Sequence, residues 1–244
     1  MTLRAILFDR DDTLSLTEHG MYMEAALWTQ ERFGLEPKIT LSAMREQWAS
    51  VEGKWQHLRT LEEEHQFWKE YALELGKGLN LTGEQALELV TEWPYYRFIK
   101  AVPEAREVLS KLREKGYKIG VLSNTLPNVA ATLSAIEIHD LVDVAIASCT
   151  LGTHKPDLEC FVQAAQLLEH APHEILFVDD KLENVQAALE LGMHALLINH
   201  HSETGESFKY STLEMDTVAR IEGEIHNLYG VLEYVEKQEA EKVS

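Results

Sequence analysis

Six mostly apolar residues, Leu3 to Phe8, run without a break into Asp9-Arg10-Asp11-Asp12-Thr13. A short β-prone run that stops at a block of acids reads as a buried parallel strand reaching the rim of its sheet. Such a strand is covered on both faces and turns polar only where it leaves the sheet. The same pattern returns twice: Lys118 to Leu122 stops at Ser123-Asn124-Thr125, and Ile175 to Val178 stops at Asp179-Asp180. Val142 to Ala147 and Ala195 to Ile198 read as further strands. Helices are expected over Pro103 to Lys115, Pro127 to Ile136, Pro156 to Leu168 and Glu183 to Leu191. Strand and helix in alternation demand a parallel sheet with helices on both faces, so the predicted fold is α/β and doubly wound.

Between the first strand and the rest, the pattern changes. From about Thr17 to Tyr96 apolar residues recur at helical spacing with many aromatics, and Thr82-Gly83-Glu84-Gln85 has the form of a capping box. A helical insert over residues 16–99 is therefore expected to interrupt a core made of residues 1–15 and 100–244. Its tryptophans, Trp28, Trp48, Trp55, Trp68 and Trp93, read as packing residues. In a second reading, Gly53 bends the chain so that Arg45, Lys54, Trp55, His57 and Arg59 meet a substrate. Asn199 to Ser211 reads as a polar loop and Leu213 to about Ala240 as an amphipathic helix.

In sheets of this kind ligands collect at the carboxyl ends of the strands. That rule brings Asp9, Asp11, Thr13, Ser123, Asn124, Asp179 and Asp180 to one rim, with Lys155 a few residues beyond the third strand. Carboxylates brought together are costly unless a cation offsets them, and oxygen donors with room for water suit Mg²⁺. A calcium loop starting at Asp9 is excluded, because its sixth position is Leu14 rather than Gly and its twelfth is Gly20 rather than Glu. A carboxylate beside Mg²⁺ can attack phosphorus when a counter-charge such as Lys155 offsets both groups. Ser123 and the loop-to-helix amides at Asn124 suit phosphoryl oxygens, and Asp11 suits proton transfer. The histidines, His200 and His201 included, show no ligand spacing.

Charge narrows the partners. With 41 Asp plus Glu against 22 Lys plus Arg, the formal charge is −19, and no run of Lys and Arg interrupts it. Phosphate backbones and anionic lipid are repelled by such a balance, so nucleic acid and membrane are not expected partners; the phosphoryl chemistry at the strand ends, not the charge, makes a small phosphorylated metabolite one. No apolar run approaches the ~20 residues that span a bilayer. The amino terminus lacks the features of a signal peptide, and the two cysteines, Cys149 and Cys160, read as buried thiols. The expected address is cytoplasmic.

Four segments in order carry a family resemblance: Ile6-Leu7-Phe8-Asp9-Arg10-Asp11-Asp12-Thr13-Leu14, Val121-Leu122-Ser123-Asn124, Lys155-Pro156-Asp157, and Phe177-Val178-Asp179-Asp180 with Asn184. Together they resemble the haloacid dehalogenase superfamily, Rossmann-like hydrolases most of which are phosphatases, over about Leu3 to Asn199. The insert resembles that family's mobile helical cap. The resemblance implies that Asp9 is the nucleophile, becoming an aspartyl phosphate, and also a Mg²⁺ ligand. It implies that Asp11 is the general acid and base and lends its carbonyl to the metal, while Thr13 orients the loop. Ser123 and Asn124 would bind the phosphoryl group, Lys155 would neutralise Asp9 and phosphate, and Asp180, with Asp179 directly or through water, would hold Mg²⁺. Asp12 departs from the pattern, since glycine is usual there. The dehalogenases have an aromatic residue where Asp11 stands, because halide leaves without a proton, so Asp11 points to phosphate ester hydrolysis. A phosphomutase and a non-catalytic phospho-ligand- or partner-binding member share these motifs. A phospho-accepting signalling domain is disfavoured, because its acid pair precedes the phosphorylated aspartate.

Overall fold

The computed structural model describes residues 3–200 and 223–241. The chain enters as β1 (Ala5–Phe8) and passes through β2 (Ser15–Thr17) into four long helices: α1 (His19–Phe33), α2 (Pro37–Ser50), α3 (Leu61–Leu79) and α4 (Gly83–Glu92). It returns through β3 (Ile99–Ala101). There follow α5 (Ala105–Glu114), β4 (Lys118–Ser123), α6 (Val129–Ala135), β5 (Val144–Ala147), α7 (Ser148–Leu151), α8 (Leu158–Leu168) and β6 (Ile175–Asp179). The chain continues as α9 (Leu182–Glu190), β7 (His194–Ile198), β8 (Glu224–Ile225) and α10 (Tyr229–Ala240).

Six strands pair in parallel in the order β5-β4-β1-β6-β7-β8, which makes the fold an α/β, doubly wound, Rossmann-like sheet. All four residues of β1 are buried. Their alternation divides the core: Ile6 and Phe8 pack into the cluster that includes Val108, Leu109 and Val231, while Ala5 and Leu7 pack with Phe161 and Phe177 on the other face. That split is the period-2 signature of a strand covered on both sides. Gly120 in β4 is required by this packing, because a Cβ there would lie 2.9 Å from Leu7 and 3.0 Å from Leu168.

The helical stretch after β1 has a core of its own, in which Met44, Tyr71, Leu75, Leu79, Leu89, Trp93 and Phe98 come together. Its helices begin where side chains satisfy the first free amides: Thr82 and Gln85 form the expected capping box at α4, and Thr60 and Glu63 form a second at α3. The chain enters and leaves this stretch through an antiparallel ribbon, Ser15 opposite Ala101 and Thr17 opposite Ile99, where no strand was expected.

Most differences from the expected elements are at helix starts. Proline-led starts were expected at Pro103, Pro127 and Pro156; the helices begin two residues later in each case, at Ala105, Val129 and Leu158. Asp157 stands at the N-cap of α8 without a side-chain capping bond. The long helix expected from Leu213 to about Ala240 is, among the described residues, α10 alone; Glu224 and Ile225 instead extend the sheet beside Leu197 and Ile198. The expected polar loop lies outside the described residues from position 201 onward. No helix among the described residues is long and apolar enough to cross a membrane. Cys149 and Cys160 are buried and free.

Candidate active site

Register places the first two acids. Phe8 lies opposite Val178, so Asp9 and Asp179, one residue on in each strand, leave the sheet side by side. Like charges at that spacing need a cation between them, and Lys155 supplies it: its Nζ donates to Asp9 Oδ1 at 2.5 Å and to Asp179 Oδ2 at 2.7 Å. All three residues are buried. Burial disfavours the lysine's charge, yet Asp179 and Asp9 outweigh it and raise its pKa. Burial also pushes Asp9 up to about 8, with Asp179 and Asp11 adding to the rise and Lys155 opposing it.

Two asparagines fix this triad. Asn124 Nδ2 donates to the Lys155 carbonyl at 2.9 Å and its Oδ1 accepts from the Lys155 amide at 3.1 Å, so the end of β4 clamps the loop that carries the lysine. Asn184 Nδ2, one turn into α9, reaches both Asp179 oxygens at 3.0 Å, and the Lys181 amide donates to Asp179 Oδ1 at 2.8 Å. The Asn124 side chain is thus engaged with Lys155, a positioning contact that sequence reasoning did not anticipate.

The loop after Asp9 turns sharply: the amides of Leu14 and Ser15 both donate to the Arg10 carbonyl at 2.8 Å. Asp12 sits within it at φ 57°, in the left-handed region, which is the physical reason a glycine would be at ease there. Arg10 is fully buried. Its guanidinium donates to Asp11 at 3.0 and 2.7 Å, to Thr132 at 2.9 Å, to Thr125 at 3.0 Å and to Tyr95 Oη at 2.5 Å. Burial works against ionisation of Asp11, but the charge and hydrogen bonds of Arg10 prevail and hold its carboxyl below the ordinary range. His200 meets the Thr13 carbonyl at 3.0 Å through Nε2, so one of the histidines set aside in the sequence buttresses this loop.

Two buried hydroxyls near the acids, Thr13 Oγ1 and Ser123 Oγ, have no hydrogen-bond partner among the described residues. Buried polar atoms left single are rare, and these two suit a ligand rich in oxygen acceptors. Asp180, just past β6, is half-buried, and burial together with the charge of Asp179 pushes it up to about 7. Among the described residues no three His, Cys, Asp or Glu side chains form a closed metal cage. Mg²⁺ does not need one, since it is commonly held by one or two carboxylates together with water and substrate phosphate. A metal held in this way would draw on Asp9 and Asp180, where acids are in excess over the facing Arg10, Lys155 and Lys181. Asp179 is bonded to both Lys155 and Asn184 and the Asp11 side chain to Arg10, while Asp9 shares the Lys155 ammonium.

On the helical side, the expected reading loop is divided. Gly53, at φ 74°, does turn the chain into a short 3-10 helix, Lys54–His57. Trp55 from that helix stands edge-on to His154, beside Lys155, with 5.6 Å between ring centroids. None of Arg45, Lys54, Trp55, His57 or Arg59 lines the cavity that opens beside Asp11 and Asp12. That cavity, of about 240 Å³, is walled by Trp48, Trp68, Tyr71, Trp93 and Tyr95 among others. Trp48, Trp68 and Trp93, expected only to pack, therefore also face a void, whereas Trp28 packs on Phe33. Tyr95 joins the two regions, its hydroxyl on Arg10 and its ring stacked at 5.8 Å on Trp48 and 6.1 Å on Trp68.

Known proteins are similar to this chain along most of its length. Phosphatase MT3486 of Mycobacterium tuberculosis (strain CDC 1551 / Oshkosh) is 30% identical over 212 residues, covering 84% of this chain and 91% of that protein. (S)-2-haloacid dehalogenase 4A of Burkholderia cepacia is 27% identical over 218 residues, covering 84% and 87%. The crystal structure of a HAD phosphatase from Thermococcus onnurineus shares the fold at a TM-score of 0.61 and 20% identity, over 96% of this chain and 98% of that one. The haloacid dehalogenase-like hydrolase family model matches residues 3–192, and the chain belongs to that family.

Proposed function

We propose that this hydrolase is a Mg²⁺-dependent phosphatase, a phosphoric monoester hydrolase that cleaves a small phosphate ester through an aspartyl-phosphate intermediate. The observation that carries the reading is Lys155 Nζ held between Asp9 and Asp179, with Asp11 two residues beyond Asp9 on the same loop. Asp9 Oδ attacks phosphorus, forming an O–P bond as the ester P–O bond breaks, and Lys155 keeps the attacking carboxylate in place. Asp11, once its carboxyl leaves Arg10 and is protonated, gives a proton to the departing oxygen. It then takes one from the water that attacks the aspartyl phosphate, releasing inorganic phosphate and restoring Asp9. Ser123, Thr13 and the amides after β4 hold the non-bridging oxygens. Asp9, Asp180 and the Asp11 carbonyl would hold Mg²⁺, which would supply charge compensation for the phosphoryl group. Residues 16–99 act as a cap that opens and closes about the β2–β3 ribbon, which serves the need to exclude water at one stage and admit it at the next.

Likeness to phosphatase MT3486 supports this reading. Likeness to (S)-2-haloacid dehalogenase 4A supports a second one, hydrolysis of a 2-haloacid through an ester of Asp9. Asp11 favours the first, because only a poor leaving group such as an alkoxide needs a proton. A panel of phosphate monoesters and 2-chloropropionate, each assayed with Mg²⁺ and with excess chelator, tests both. Release of phosphate that stops on chelation is expected. Chloride release, or phosphate release untouched by chelator, would overturn the proposal.

A further inference from the structure

The cavity beside Asp11 is specific about what can fill it. It adjoins Asp11 and Asp12, while Asp9, Lys155 and Asp179 take no part in its lining. Under the phosphatase reading the leaving oxygen lies at the general acid, opposite the attacking carboxylate, so the organic part of the ester extends from Asp11 into this space. The walls there are Trp48, Trp68, Trp93, Tyr95, Leu75 and Leu89, from four separate helical or turn segments. No lysine, arginine or histidine is among the described residues that line it. A substrate with a second anionic group would thus place that charge beside Asp11 and Asp12 with no cation to receive it. A polyhydroxylated chain would exchange water for a lining that is mostly rings and methyl groups, with hydroxyls only from Ser15, Thr17, Tyr22, Tyr71 and Tyr95. An apolar chain or ring system would gain on every carbon, about fourfold per methylene removed from water.

The volume sets the size. A cavity of roughly 150 Å³ admits benzene, and this one has about 240 Å³. Among the polar groups of the lining, Trp93 Nε1 is buried and has no partner among the described residues.

We propose that the substrate is the phosphate monoester of an apolar alcohol, an extended or cyclic hydrocarbon group of roughly eight to ten carbons, rather than a phosphorylated acid or sugar. This substrate class rests on the phosphatase reading of the same site. The aromatic cavity takes the hydrocarbon, and the rim around Asp9, Lys155 and Ser123 takes the phosphate.

A series of n-alkyl phosphates from ethyl to octyl, with phosphoglycolate and glycerol 3-phosphate beside them, reads the proposal directly. With the full chain and Mg²⁺, kcat/KM should rise at least about 100-fold from ethyl to octyl. Octyl phosphate should exceed both polar esters by a similar factor. Val90→Phe, which fills the cavity from its wall, should lower the octyl-to-ethyl ratio at least tenfold, and Trp68→Ala should shift the optimum toward longer chains; circular dichroism checks that each is folded. A flat series, or polar esters hydrolysed as well as octyl phosphate, would overturn the cavity assignment while leaving the phosphatase reading intact. If no ester is hydrolysed, the phosphatase reading fails, and the cavity is judged by tryptophan fluorescence during titration with 1-octanol and ethanol. Saturable quenching by octanol alone, lost in Val90→Phe, would uphold an apolar ligand site; no saturation with either alcohol would overturn it.

Discussion

The rim of the sheet and the wall of the cavity are held by different forces. At the rim, directional bonds pin the central triad: Lys155 by Asp9 and Asp179 through its ammonium and by Asn124 through its backbone, Asp179 by Asn184 and the Lys181 amide. In the wall, Trp48 and Trp68 lie 6.2 Å apart and nearly parallel, and Trp68 meets Tyr71 edge-on at 5.4 Å. Ring packing of this kind is worth much in area and little in angular precision. Bond making at phosphorus needs reacting atoms held to a fraction of an ångström, whereas burial of a hydrocarbon group depends on volume and dryness. Changes at the rim should therefore damage every substrate alike, and changes in the wall should reorder substrates.

The sharpest way to break that contrast is at Asp9. Asp9→Asn removes the attacking oxygen while keeping nearly the same shape, so turnover should vanish for polar, alkyl and aryl phosphates together, with no covalent phosphoenzyme in intact-protein mass spectra. Residual turnover that still favoured one ester class would show that the two regions do not divide chemistry from recognition in this way.

Asp11 comes next, and it sharpens the contrast because it belongs to both regions. Asp11→Asn should cost about 10² to 10⁴ in kcat for alkyl phosphates, whose leaving oxygen needs a proton. An aryl phosphate should lose less in the first step, since its leaving group departs unaided. Hydrolysis of the aspartyl phosphate would still lack its base, so phosphorylated Asp9 should accumulate with the aryl substrate. Equal losses for both esters, with no accumulation, would take the role of acid away from Asp11.

The same division explains what could be read in advance. Asp9, Ser123, Asp179 and Asp180 stand where apolar strands stop, and that contrast is written in adjacent letters. Lys155 was readable from Lys-Pro-Asp, although it lies beyond α7 and ahead of a helix that begins only at Leu158. Arg10 was not singled out, because what makes a buried arginine possible is a set of acceptors at Thr125, Thr132 and Tyr95, each far away in sequence. The wall was harder still. Helical spacing looks the same for a tryptophan that fills a core and one that borders a void, so Trp48, Trp68 and Trp93 read as packing residues and not as a cavity wall. A two-residue strand such as β8 is too short to show any period at all.

The smallest effect tests whether the regions are tied together, and Tyr95→Phe isolates the tie. The ring, and with it the stack on Trp48 and Trp68, is retained; the hydroxyl that accepts from Arg10 is lost. Burial holds the Tyr95 hydroxyl in its neutral form, pushing it up to about 12, so the variant removes a hydrogen bond and no charge. Arg10 keeps Asp11, Thr125 and Thr132. The lost bond to a buried guanidinium should cost about 1–2 kcal/mol, which for a chain of this size lowers Tm by roughly 2–8 °C. Because Asp11 remains anchored by two hydrogen bonds, kcat for an aryl phosphate should fall by less than about tenfold. Because the link between the first loop and the helical stretch is weakened, limited proteolysis should cut faster within residues 16–99. A variant with unchanged Tm and unchanged proteolysis would mean that the Arg10–Tyr95 contact contributes nothing to holding the aromatic wall over Asp11.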